Sequence, residues 1–169
     1  MKTAAKMNQI DITIEDPGWQ THCADADAVA LQAATAALDA ARLQVKQACE
    51  VSIVLASDAR VRELNRTWRR IDKPTNVLSF ASEDDDGAQD NGPRMLGDVI
   101  LARETVEREA LASGISVSDH LSHLVVHGIL HLLGYDHEIE AQAVEMEARE
   151  AVILSQLGIA NPYAQEALR

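Results

Sequence analysis

The chain has 169 residues, 47% of them hydrophobic and only 3% aromatic, and a formal net charge of -12 at pH 7. This length suits one domain with a true core held by aliphatic packing, and the composition excludes general disorder. No apolar run reaches bilayer length, residues 1–16 are too polar for a signal peptide, and two unpatterned cysteines make no disulfide framework, so a cytoplasmic protein that does not engage membranes is expected, with Cys23 and Cys49 reduced and packed.

In chain order, residues 10–14 alternate apolar and polar side chains, as a half-buried strand does. Residues 26–48 read as one long Ala-rich helix with Val29, Ala33, Ala36, Ala37, Ala40 and Leu43 on one side. Residues 51–55 form a short β-branched strand, after which Asp58 caps a helix over 59–69 that Pro74 stops. Residues 76–80 read as a second central strand, 83–92 as an acidic solvated loop, and 96–101 as another strand. A helix over 103–113 ends at Gly114, Ser118 or Asp119 caps the next, and a last helix over 139–157 ends at Gly158, leaving 161–169 as a tail. Strands and helices interleave around one core, which predicts an α+β fold, a small mixed β-sheet packed with helices in a single domain spanning residues 1–169.

The acidic total argues against nucleic acid, but the distribution argues otherwise. Residues 60–73 hold Arg60, Arg62, Arg66, Arg69, Arg70 and Lys73 against only Glu63 and Asp72, whereas the acids gather in 83–90 and in Glu138, Glu140, Glu145, Glu147 and Glu150. A run of charge is ordinarily a solvated face. Here Arg66, Arg69, Arg70 and Lys73 crowd the helix end, where they can grip a phosphate chain. Trp68 stands among them and can stack on a base, although core packing is the commoner fate of a lone Trp. Thr75, Asn76 and Ser79 offer hydroxyl and amide groups toward a ligand, or serve the turn and strand end.

Five of the six histidines fall between residues 120 and 137. His127 and His131, four apart on a helix, lie on one face about 6 Å apart along the axis and can aim two imidazoles at one point. Gly134 can adopt the positive φ that ends the helix, and the chain then returns to bring in His137. Three imidazoles leave zinc one open position, the mark of a catalytic site. His123 can pair with His127 but stands about 12 Å along the axis from His131, too far to share its ion, and is read as a neighbour of the site or a packed helix residue. His120 and His22 are read as surface residues. Asp136 is the nearest carboxylate in sequence: it can orient a ligand imidazole, act as general base, or simply make the turn.

This spacing matches the metzincin protease pattern, with His at the first, fifth and eleventh places and Gly at the eighth, except that Gly128 stands where the proteases carry their general-base Glu. A glycine takes no proton from water, so a metalloprotease is the weaker reading. A third possibility is a non-catalytic factor in which zinc is structural and the basic helix docks on RNA or protein.

Taken together, Leu64-Asn65, Trp68-Arg69, Asp72-Lys73-Pro74-Thr75-Asn76-Val77-Leu78-Ser79-Phe80, Leu96-Gly97-Asp98-Val99 and the histidine block of 127–137 resemble the YbeY family of bacterial endoribonucleases, over about residues 50–163. The resemblance implies a zincin-related fold and a zinc-dependent, single-strand-specific endoribonuclease that matures the 3′ end of small-subunit ribosomal RNA and serves ribosome quality control. It implies one Zn2+ per chain on His127, His131 and His137, with His127 essential and Arg69 the important arginine. Single-stranded RNA, ribosomal RNA or the small ribosomal subunit are the implied partners, DNA is not, and Arg66, Arg70, Lys73, Thr75, Asn76 and Ser79 are the candidate substrate contacts. In the mechanism this suggests, zinc polarises a water or a phosphoryl oxygen while Arg69 stabilises the charge developing on the phosphate.

Overall fold

A computed structural model describes residues 7–42, 45, 47–82 and 92–164. Four strands, β1 (Gln9–Ile14), β2 (Cys49–Ala56), β3 (Val77–Ala81) and β4 (Arg94–Ala102), form one sheet in the order β1-β2-β4-β3. β1, β2 and β4 run parallel, and β3 pairs antiparallel with β4, so the sheet is mixed as the alternation of elements predicts. Six helices accompany it among the described residues: α1 (Trp19–His22), α2 (Ala26–Ala40), α3 (Asp58–Arg69), α4 (Arg103–Ser113), α5 (Val117–Leu132) and α6 (Glu140–Gln156).

The strand after the basic helix is an edge strand, not the central one expected. Burial explains the exchange: β4 buries Val99 and Leu101 on one face and Ile100 and Ala102 on the other, as a central strand must, while only Leu78 of β3 is fully buried. α2 is shorter than the sequence suggests, ending at Ala40 before Val45 turns in to pack on the core; Leu43 and the acidic loop over 83–91 lie outside the described residues.

The caps also differ. Ser57 caps α3, its Oγ accepting the Arg60 amide at 3.2 Å, and Ser116 caps α5 by accepting the Asp119 amide at 3.0 Å. The Asp58 carboxylate is instead spent on α4, accepting both the amide and the hydroxyl of Thr105 at 2.9 Å. Pro74 does not stop α3. The helix ends four residues earlier, where Arg70 takes the left-handed conformation at φ 58, and the buried Asn65 then donates to the Lys73 carbonyl at 2.9 Å to fix the turn.

The core has two sides. β2 and β4 present Val51, Ile53, Leu55, Val99 and Leu101 to α2 and α5, whereas Val61 of α3 packs with Leu78, Ile100 and Ala102 on the opposite face. α5 is the most deeply enclosed helix, burying Leu121, Leu124, Val125, Val126, Ile129, Leu130 and Leu132. The alanines of α2 (Ala26, Ala30, Ala33, Ala34 and Ala37) are fully buried; side chains this small let neighbouring helices approach closely. Trp19, 1% exposed, closes this core and donates its indole N–H to the Ala56 carbonyl at 2.8 Å.

Two contacts set predictions. A Cβ on Gly128 would stand 2.7 Å from Cγ1 of Val99 and 3.2 Å from Oγ of Ser79, so α5 lies on the sheet at a distance only glycine permits. Gly128→Ala gains about 1 kcal/mol of helix propensity but overpacks a stiff β-branched neighbour by about 1–3 kcal/mol. A net fall in Tm of about 2–6 °C is expected in a thermal melt; an unchanged or higher Tm would contradict this packing. Arg103 Nε donates to Asp16 at 2.6 Å, tying the start of α4 to the end of β1. This bond, against opposing desolvation, holds the Asp16 carboxyl below its ordinary range. A lowered folded pKa stabilises above the unfolded pKa, and that stability is lost as pH falls through the folded value. Asp16→Asn should therefore lower stability by about 1.5–3 kcal/mol at pH 7 in urea unfolding, and the gap to the parent should close on acidification. A gap that does not change with pH would refute it.

Candidate metal centre

The C-terminal end of α5 is closed by its own sequence. Tyr135 N–H returns to the Leu130 carbonyl and Gly134 N–H to that of His131, both at 3.1 Å, while Gly134 takes φ 106. This is the Schellman arrangement, with glycine at the one position whose φ is unfavourable for other residues. It turns the chain so that Asp136 and His137 come back beside the helix end.

His131, Asp136 and His137 each offer a ligand atom, and these atoms all lie within 4.8 Å of one another. His127 stands beside this group, its ring centroid 5.7 Å from that of His137, and the His131 and His137 centroids are 6.0 Å apart. Rings that share an ion through bonds of about 2.1 Å have centres roughly 5–6 Å apart. The tight group thus contains two of the three histidines singled out by spacing and adds Asp136, whose Oδ1 also accepts the His137 amide at 2.7 Å.

The residues fit a transition-metal ion. Burial, aided by the nearby charges of His127, His137 and Arg69 and only partly offset by Asp136, pushes the His131 imidazole below its ordinary pKa. A neutral ring with a free lone pair is what a metal requires. His131 also has no hydrogen-bond partner among the described residues, so no protein group of the described fold occupies the ring nitrogen a metal would take.

His127 is held from behind by a residue that sequence reasoning missed. Glu150 of α6, whose side chain is 1% exposed, lies with Oε1 2.9 Å from His127 Nδ1 and 3.2 Å from His123 Nε2, and its Oε2 accepts the Tyr163 hydroxyl at 2.8 Å. Burial pushes this carboxyl up, but the hydrogen bonds and charges of His123 and His127 outweigh it and hold the pKa at about 2. By sequence Glu150 looks like one more acid of a charged terminal helix, and 161–169 looks like a tail. The available signal was position: Glu150 falls on the same stripe of α6 as Met146, Ile153 and Leu154, an acid on a buried face. A shallow cavity lined by His127, His137, Met146, Glu147, Glu150 and Tyr163 opens beside the two rings.

Arg69 lies on the helix packed against the other face of the sheet, yet its charge reaches His131 closely enough to lower that residue's pKa. Arg66, Arg69, Arg70 and Lys73 are exposed, and none makes an ion pair among the described residues, whereas Arg60 pairs with Glu15 and Glu63, and Arg62 with Asp72. Trp68 is 70% exposed, so the expected core packing is wrong: Trp19 takes the core, and Trp68 stands in solvent among the cations. Asn76 and Ser79 are engaged within the fold, Asn76 donating to Glu109 at 3.0 Å and Ser79 to the Gly128 carbonyl at 3.3 Å. Thr75 is half-buried. His120 is not a surface residue: its side chain is 12% exposed and Nε2 meets Glu109 at 2.8 Å, while His123 neighbours the site as expected.

Residues 14–158 match the family model described as Endoribonuclease YbeY. The chain is 54% identical over 157 residues to Endoribonuclease YbeY of Azorhizobium caulinodans, covering 92% of this chain and 96% of that one. It is 51% identical over 160 residues to the protein of the same name from Paramagnetospirillum magneticum, covering 94% and 97%. The solution structure of TM1509 from Thermotoga maritima is similar, with a TM-score of 0.56, 25% identity and 87% of each chain covered.

Proposed function

This chain belongs to the YbeY endoribonuclease family, and from that premise we propose that it is a zinc-dependent endoribonuclease cutting single-stranded RNA. The observation that carries the reading is the convergence of His131, His137 and Asp136, with His127 adjacent and the charge of Arg69 within reach of His131. One Zn2+ per chain is held by His127, His131 and His137, with Asp136 orienting an imidazole or serving as base. The substrate is ribosomal RNA, in maturation of the 3′ end of the small-subunit RNA and in ribosome quality control, and the protein works in the cytoplasm; support for these is the family alone. No helix among the described residues is long and apolar enough to cross a membrane.

Zinc in such a site supplies a Lewis acid and lowers the pKa of water bound to it. The chain's own groups do the rest. Arg66, Arg70 and Lys73 draw the phosphate chain to the end of α3, and exposed Trp68 offers a face for an unpaired base. Arg69 directs a forked pair of donors at the phosphate, strongest where charge develops in the transition state. Thr75 lies at the same turn, while Asn76 and Ser79 hold β3 in place through Glu109 and Gly128.

A protease reading loses support from the packing of Gly128, because a glutamate there would drive its Cβ into Val99. A purely structural zinc is disfavoured by the core, to which the sheet, α2, α5 and α6 contribute apolar side chains and none of the candidate ligands belongs.

Metal analysis joined to a single-stranded RNA cleavage assay tests the proposal. The parent should carry one zinc and cleave, and His131→Ala should lose both. Arg69→Lys should keep its zinc and lose about 100-fold in rate, since lysine lacks the fork. Chelation should leave a folded, inactive protein by circular dichroism. Cleavage undiminished in His131→Ala would remove the site from the reaction, equal rates in Arg69→Lys would remove Arg69, and unfolding on chelation would favour the structural zinc.

A further inference from the structure

We infer that Glu150 is a positioning residue for the metal centre: its carboxylate fixes the ring of His127 in the one tautomer that leaves Nε2 free, and Tyr163, from the segment after α6, holds that carboxylate in place. The inference rests on the metal reading above but concerns residues to which that reading gives no part.

The proton count follows from the contacts. A carboxylate accepts and does not donate. The 2.9 Å contact between Glu150 Oε1 and His127 Nδ1 therefore places the proton on Nδ1, and Nε2, on the other edge of the ring, keeps its lone pair and faces away from Glu150. The carboxylate itself has little freedom. Tyr163 donates its hydroxyl proton to Oε2 at 2.8 Å, and His123 Nε2 lies 3.2 Å from Oε1 and 3.1 Å from the Tyr163 oxygen. The His123 and Tyr163 rings meet edge to face with centroids 5.5 Å apart. With Glu150 fully buried among Met146, Ile153 and Leu154, the backing group is set by the core of α6, not by a mobile surface side chain. Carboxylates behind ligand imidazoles raise ring basicity and fix orientation, and their loss typically weakens metal binding about 10- to 100-fold.

Among the described residues, His131 Nδ1 has no such backing. The two candidate ligands on α5 are thus unequal: His127 is held ready before any ion arrives, and His131 is oriented by packing. Tyr163 extends the arrangement to the end of the described chain, so that the conformation of the segment beyond α6 bears on the metal centre.

Two measurements on the full-length protein test this. In the metal-free parent, nitrogen NMR of the histidine rings should show His127 as the Nδ1–H tautomer. Zinc affinity, measured by competition with a chromogenic chelator, should fall about 10- to 100-fold in Glu150→Gln, a change that keeps the side-chain volume. A His127 found as the Nε2–H tautomer, or a folded Glu150→Gln that binds zinc as the parent does, would overturn the inference. Should Glu150→Gln fail to fold, the tautomer in the parent decides alone. A parent that binds no zinc would defeat the metal reading, while the tautomer would still report whether Glu150 governs the ring.

Discussion

Everything at the candidate centre depends on where α5 lies. The helix is enclosed by the sheet, α2 and α6, and it touches the sheet at Gly128, where even a methyl group meets Val99 at 2.7 Å. A helix so confined has few directions in which polar side chains can leave. His127 and His131 emerge at its C-terminal half, and the Gly134 turn returns Asp136 and His137 to the same place. Glycine at position 128 is thus first a packing residue. That it also leaves the protein without the protease glutamate follows from the same close approach, since fold and chemistry compete for one position.

Charge is arranged with similar economy. A net charge of -12 opposes approach of RNA at long range, but beyond about 8 Å such fields are screened at physiological ionic strength. What a phosphate meets at close range is the end of α3, where four cations make no ion pair among the described residues while Arg60 and Arg62, further back on the helix, are neutralised by theirs. The left-handed residue at the helix end is Arg70 itself, and the buried Asn65 amide pins the turn that follows. Cations are thereby presented by a rigid turn. Under the proposed function, affinity for RNA comes from this local patch, while the global charge disfavours indiscriminate binding to polyanions.

The sequence made much of this legible, and for physical reasons. Alternation and turn residues located all four strands and the long helices, and the spacing of His127, His131 and Gly134 pointed to the helix end where His131, Asp136 and His137 gather. Strand order was not legible, because whether β3 or β4 is central depends on burial of both faces, a tertiary property. Nor was the identity of the caps, since Ser57 and Asp58 are equally good by type and only the Thr105 contact assigns the aspartate elsewhere. Trp68 was misjudged because average burial says nothing of a chain that already fills its core with Trp19. Glu150 and Tyr163 escaped notice because their importance lies in a contact across 23 residues to His127 and another across 40 to His123. Family membership identifies the chemistry; the structure adds which side chains are already engaged in the fold, Asn76 and Ser79 among them.

The central claim is that α5 and the turn after it gather three imidazoles on one ion. X-ray absorption at the zinc edge, on protein loaded with one equivalent, tests it most directly. The account predicts a four-coordinate shell of nitrogen and oxygen at about 2.0–2.1 Å, with outer-shell scattering from three imidazole rings and no sulfur. Sulfur at about 2.3 Å, or scattering from a single ring, would place the metal elsewhere and contradict it.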